Sequence, residues 1–134
     1  MDINKIKIDK NFKLIEASAG TGKSFTLSHL LIRGIIENRL KPEDILLLSF
    51  TKNTCYELKI KIIERIEKLK SYIITKKTDQ VDKTLIDWYH NFNKNGEKDY
   101  FILSIINDFY NNINRINITT FHGLCNKISE EYSI

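Results

Sequence analysis

A chain of 134 residues, 42% apolar and 28% charged, has the length and balance of one globular domain with a single core, which excludes disordered and fibrous classes. Its formal net charge of +4 suits a nucleic-acid partner but is shared by many unrelated domains. No apolar run approaches the ~20 residues that span a bilayer, and Met1–Lys7 lacks a signal-peptide core, so a cytoplasmic chain with no membrane partner is expected.

In chain order, the apolar run Phe12–Ala17 leads into a glycine-rich loop and is expected to form a first strand. Leu27, Leu30, Leu31, Ile35 and Ile36 then recur at helical spacing, predicting a helix over 23–38 that ends before Pro42. The continuous run Ile45-Leu46-Leu47-Leu48-Ser49-Phe50 suits a strand buried on both faces of a parallel sheet. Strand, helix and strand together form one βαβ unit.

Thr54-Cys55-Tyr56-Glu57 fits a capping box and predicts a helix start. The helix would bury Leu58, Ile62, Ile66, Leu69 and Ile73 and expose Lys59, Lys61, Glu64, Arg65, Lys68 and Lys70, with Glu64 and Lys68 paired across one turn. Residues 76–83 read as a loop. Leu85, Trp88, Tyr89 and Phe92 suggest a short helix before the turn at Asn95-Gly96, and 100–113 a further helix. These aromatics suit a core better than a ligand platform. A third strand is expected at 115–120, then a helix from about Phe121. Cys55 and Cys125 have no partners at metal-ligand spacing and read as small buried hydrophobes.

The sequence element with the clearest chemistry is Ala17-Ser18-Ala19-Gly20-Thr21-Gly22-Lys23-Ser24. It fits the phosphate-binding loop, in which Gly or Ala is followed by four free positions and then Gly-Lys-Ser/Thr. Gly20 and Gly22 let the backbone bend tightly and turn N–H groups toward phosphate oxygens. A following helix adds partial positive charge at its N-terminus. Lys23 supplies a full charge to the β- and γ-phosphates of ATP and is the catalytic candidate, while the Ser24 hydroxyl suits the coordination shell of Mg²⁺. The loop lies between an expected strand and an expected helix, the context that distinguishes it from a chance glycine-rich turn.

The stretch Leu14–Leu27 resembles the first helicase motif of the RecB family, the β subunits of exodeoxyribonuclease V, within the UvrD-like superfamily 1 helicases; Ala17 in place of Gly is usual there. Leu46–Leu58 resembles the family's second block, a strand, a Thr-Phe-Thr and a helix, with Ser49 replacing the first Thr. Ile118–Cys125 resembles the third block. The resemblance implies an incomplete α/β fold: a RecA-like P-loop NTPase with a parallel sheet flanked by helices. Residues 1–134 would be the N-terminal part of the first ATP-binding motor domain. It further implies single-stranded or duplex-end DNA as substrate, RecC- and RecD-like partner subunits, and DNA contacts from Phe50, Thr51, Lys52, Asn53, Thr120, Phe121 and His122. Those residues offer phosphate contacts and stacking surfaces. A capped or core role remains the alternative for His122, and core packing for Phe50 and Phe121.

The family's Asp-Glu pair on a later strand, its second motor domain and its nuclease domain have no counterpart among these residues, so the chain is expected to be the beginning of a longer helicase and inactive by itself. The alternatives are an AddA- or UvrD-type parent, a small P-loop phosphotransferase, and a nucleotide-binding remnant without catalysis. Scattered Arg33, Arg39, Arg65 and Arg115 speak against the phosphotransferase.

Overall fold

Three short parallel strands organise the protein. The computed structural model describes residues 14–16, 21–77 and 81–132. Strand β1 (Leu14–Glu16) precedes helix α1 (Thr21–Glu37), and a 3-10 turn at Pro42–Asp44 leads into β2 (Leu46–Ser49). Helices α2 (Lys52–Thr75), α3 (Lys83–Phe92) and α4 (Asp99–Asn111) follow. A second 3-10 turn at Ile113–Arg115 precedes β3 (Asn117–Thr120), and α5 (Phe121–Tyr132) follows it.

The strand order is β1-β2-β3, with Glu16 opposite Leu48 and Leu48 opposite Thr119. Strand β2 is therefore central, which explains its run of leucines: Leu47 and Leu48 are buried. Helix α2 packs on β2 and β3 and also on α1 and α4, while α5 lies against β3. The core between them is aliphatic, with Leu31, Ile32, Ile35 and Ile36 from α1 meeting Leu58, Ile62, Ile66 and Leu69 from α2. Each such side chain contributes about 1.5–3 kcal/mol on burial. Among the described residues no helix is long and apolar enough to cross a membrane.

Several expectations need correction. Helix α2 starts at Lys52 rather than at a Thr54–Glu57 box. Its N-cap is Thr51, whose hydroxyl accepts the Thr54 N–H at 3.4 Å, so Thr54 is the capped residue and not the cap. Arg65 is buried within the helix interface instead of lying on a solvated face. The Glu64–Lys68 pair is not among the ion pairs of the described residues. Cys55 is buried, and burial pushes its thiol pKa up, but Cys125 is exposed on α5. Trp88 and Tyr89 are core residues as expected.

Polar bonds join the helices where aliphatic packing ends. The indole N–H of Trp88 donates to Glu37 Oε2 at 3.2 Å, and Arg33 pairs with the same carboxylate at 2.6 Å, tying α3 to α1. At the far end of α2, Lys76 takes a left-handed conformation (φ 59°) and its N–H closes on the Tyr72 carbonyl at 2.7 Å. Its ammonium then reaches Asp99 at 3.2 Å, and Asp99 also accepts the Tyr89 hydroxyl and, at 2.5 Å, the Asn93 amide.

Burial works to raise the Asp99 carboxyl, but the Tyr89 and Lys76 hydrogen bonds, the Lys76 charge and the Asn93 amide outweigh it and hold its pKa below the ordinary value. A carboxyl lowered on folding stabilises the native state above its unfolded pKa of about 4, and that contribution is lost as pH falls through the lower folded value. Asp99→Asn is therefore expected to lower the urea midpoint at pH 7, with the gap to the unaltered chain narrowing as the pH is taken below about 4.

Candidate functional site

The parallel sheet makes every strand end at one edge and every following helix start there. Three strand-to-helix junctions meet at this edge: Glu16 to Thr21, Ser49 to Lys52, and Thr120 to Phe121. Each helix start presents backbone N–H groups with no partner inside the helix and the positive end of its dipole, so three such starts side by side favour an anion.

The first junction carries the expected phosphate-binding loop. Ala17, Ser18, Ala19 and Gly20 lie outside the described residues. Thr21, Gly22, Lys23 and Ser24 form the first turn of α1, and their side chains lie outside as well. A strand thus precedes this stretch and a helix opens at Thr21, the flanking order the loop requires.

The second and third junctions are built alike. After β2, Phe50 is 82% exposed and Thr51 caps α2, its hydroxyl also 2.8 Å from that of Thr54. Ser49 is buried, and its hydroxyl lies 3.5 Å from the Thr51 N–H, within reach as an acceptor. Lys52 and Asn53 are exposed in the first turn of α2. After β3, the Thr120 hydroxyl accepts the Gly123 N–H at 3.0 Å, the same cap three residues along. A Cβ at Gly123 would stand 3.1 Å from the hydroxyls of both Thr119 and Thr120, so the absence of a side chain lets α5 start this close to its strand.

Because β2 and β3 are neighbours in register, with Ser49 opposite Thr120, the residues after them meet. The rings of Phe50 and Phe121 are 4.7 Å apart between centroids and tilted by 48°. Phe50 is not a core residue, and Phe121 is half-buried. His122 is exposed, with Nε2 3.3 Å from the Asn126 amide one turn on, so the core alternative for it falls. The structure therefore brings Phe50, Thr51, Lys52, Asn53, Thr120, Phe121 and His122 to one edge. The arrangement offers an aromatic pair, a cation, an amide and hydroxyls beside helix N-termini.

The sequence matches the UvrD/REP helicase N-terminal domain over residues 4–133. The chain belongs to that family. It is 33% identical to the RecBCD enzyme subunit RecB of Buchnera aphidicola subsp. Schizaphis graminum, in a match covering 93% of this chain and 11% of that protein. It is 36% identical to the subunit of the same name from Buchnera aphidicola subsp. Baizongia pistaciae, over 86% of this chain and 10% of that protein. For the Haemophilus influenzae subunit the figures are 32%, 98% and 12%. The chain thus spans between 10% and 12% of the length of these relatives.

The sequence reading missed a buried polar cluster one turn beyond the loop: Ser28 and His29 of α1 with Arg65 of α2. A signal was present. Leu58, Ile62, Arg65, Leu69 and Tyr72 advance by steps of four and three, so Arg65 occupies the apolar stripe of its helix.

Thr51 is a cap before it is anything else. Thr51→Ala is expected to cost about 1 kcal/mol in urea denaturation and Thr51→Ser much less. Phe50→Ala, at an exposed position, should stay within about 0.5 kcal/mol of the unaltered chain.

Proposed function

We propose that this chain is the N-terminal part of the ATP-binding motor of a RecB-type DNA helicase, built on a RecA-like P-loop fold and coupled to DNA at the same edge. The observation that carries the reading is a Thr-Gly-Lys-Ser helix start after β1 on the same sheet edge as the Phe50–Phe121 ring pair after β2 and β3. Nucleotide and nucleic acid can then sit on neighbouring junctions of a single sheet, where a change at one is felt by the other through β2.

In this reading the backbone of Ala17, Ser18, Ala19, Gly20, Thr21 and Gly22 wraps the phosphates of ATP. Lys23 neutralises charge on the β- and γ-phosphates, the part of phosphoryl transfer a point charge serves best. A magnesium ion fits the donor chemistry of the site: Ser24 stands in the first turn of α1, and its hydroxyl is an oxygen ligand of the kind Mg²⁺ takes beside phosphate. When bound, the ion offsets phosphate charge. Lys23 and the helix N-terminus hold the nucleotide in place.

Single-stranded DNA, or the frayed end of a duplex, would lie across Phe50 and Phe121. A base stacks on an aromatic ring without regard to sequence, as a translocating motor needs. Lys52, Asn53, His122 and the hydroxyls of Thr51 and Thr120 would contact backbone phosphates and sugars, which position the strand without reading it. Attack of water on the γ-phosphate, strand separation and any nuclease step belong to the whole helicase, with RecC- and RecD-like subunits as its partners.

Binding of a fluorescent ATP analogue with Mg²⁺ tests the first half. The full chain should bind it, and Lys23→Ala should weaken binding by about 10- to 100-fold, the worth of one hydrogen bond to a charged group. An affinity unchanged by Lys23→Ala would sink the reading. For the second half, oligo-dT binding by anisotropy should fall about tenfold or more in Phe50→Ala/Phe121→Ala, since stacking is worth about 1–3 kcal/mol per base.

A further inference from the structure

Two arginines are buried among the described residues, Arg33 and Arg65. Arg33 forms its ion pair within its own helix, with Glu37. Arg65 joins three elements at once. Its Nε and Nη2 each lie 3.0 Å from a different oxygen of Asp82, the residue that caps α3 by accepting the Leu85 N–H at 3.0 Å. Its Nη1 donates to Ser28 Oγ at 2.9 Å, and Nη2 lies 3.0 Å from His29 Nδ1, both on α1. A guanidinium only donates, so Nδ1 accepts and the His29 proton sits on Nε2. The guanidinium carbon also stands 4.4 Å from the centroid of the Phe25 ring, which stacks in turn with the His29 ring. Ser28 passes the contact on, donating to the Phe25 carbonyl at 2.8 Å.

All of these α1 contacts fall on residues 25–29, immediately after Ser24. Packing alone does not account for the arginine. An apolar side chain of similar volume would join α1 to α2 without the cost of desolvating a guanidinium. What Arg65 adds is direction. Its fork is fixed by Asp82 on one side, leaving an N–H on Nη1, the second N–H on Nη2 and the guanidinium face at set angles for α1. An aliphatic contact tolerates a small rotation of the helix, whereas this set of bonds does not.

We propose that Arg65 is a positioning residue for the nucleotide-binding turn: through Ser28, His29 and Phe25 it sets the rotation and height of the first turns of α1, and so where Lys23 and the N-terminal N–H groups stand. The inference rests on reading residues 17–24 as the nucleotide site. Asp82 orients Arg65, and Ser28 receives it.

The test separates positioning from stability with two variants of the full chain, read by affinity for a fluorescent ATP analogue with Mg²⁺ and by Tm. Ser28→Ala removes one of the two hydrogen bonds from Arg65 to α1, and with it the link to the Phe25 carbonyl, and keeps the Arg65–Asp82 fork. It should weaken nucleotide binding about tenfold and speed amide hydrogen exchange at residues 25–29, while lowering Tm less than Asp82→Asn does. Asp82→Asn removes the charge from the pair that joins α2 to the start of α3, but its carbonyl oxygen still accepts one Arg65 N–H, so Arg65 stays oriented and both α1 contacts remain. It should lower Tm more and keep affinity within about threefold. Arg65→Lys, which keeps the charge but loses the fork together with the paired bonds to α1, should weaken nucleotide binding as Ser28→Ala does and lower Tm as Asp82→Asn does. Affinity that simply follows Tm across the three variants, or that none of them changes, overturns the inference. Failure of the unaltered chain to bind nucleotide overturns it together with the reading on which it rests.

Discussion

Parallel strands cannot be joined by tight turns; each must be carried back by a crossover on the face of the sheet. That constraint shapes the molecule. Because β1, β2 and β3 all run the same way, their carboxyl ends form one edge, and α1, α2 and α5 all begin there. The long return from β2 to β3 is occupied by α2, α3 and α4; α2 packs on the sheet, and the three together provide most of the core of the described residues. That three helix starts share one edge is therefore a topological fact. Chemistry is concentrated at the junctions because the sheet brings them together.

The helices are held to this sheet by two kinds of contact with different consequences. Aliphatic packing of Ile32, Ile35, Ile62 and Leu69 supplies most of the stabilisation but little orientation. Among the described residues, polar contacts join the helices at their ends or crossings: Arg65 with Asp82, Arg33 and Trp88 with Glu37, and the Lys76–Asp99–Tyr89 group. Hydrogen bonds of this sort contribute modestly to net stability and heavily to uniqueness, because a mispacked alternative leaves their donors unsatisfied.

Much of this was legible in the sequence, for reasons that differ by element. The leucine run of β2 and the helical spacing in α1 and α2 carried their own periodicity, so the elements were found with ends within a few residues of those observed. The glycine-rich stretch is legible only as a pattern, because its chemistry demands particular residues at particular places; residues 17–20 lie outside the described ones. Where α2 begins was less so, since both Thr51 and Thr54 are followed by helix-forming residues. Only the strand end at Ser49 and the side-chain bond from Thr51 to Thr54 decide between them. Arg65 was assigned to the charged face because charge was counted before spacing. Its partner Asp82 lies 17 residues away on another element, a distance no local pattern reports. The closeness of Phe50 and Phe121 depends on strand order, which follows from pairing and not from either motif alone.

Trp88 is the only tryptophan in the chain, and it sits buried with its indole N–H on Glu37 at the last residue of α1, stacked on Phe92. Nature has thereby installed an optical probe at the end of α1 opposite to its first turn. Its emission reports whether α3 is seated on α1. A spectral change on adding nucleotide would be transmitted along the 17 residues of α1 as a rigid rod, turning the native fluorescence into a gauge of how stiffly the two ends of that helix are coupled.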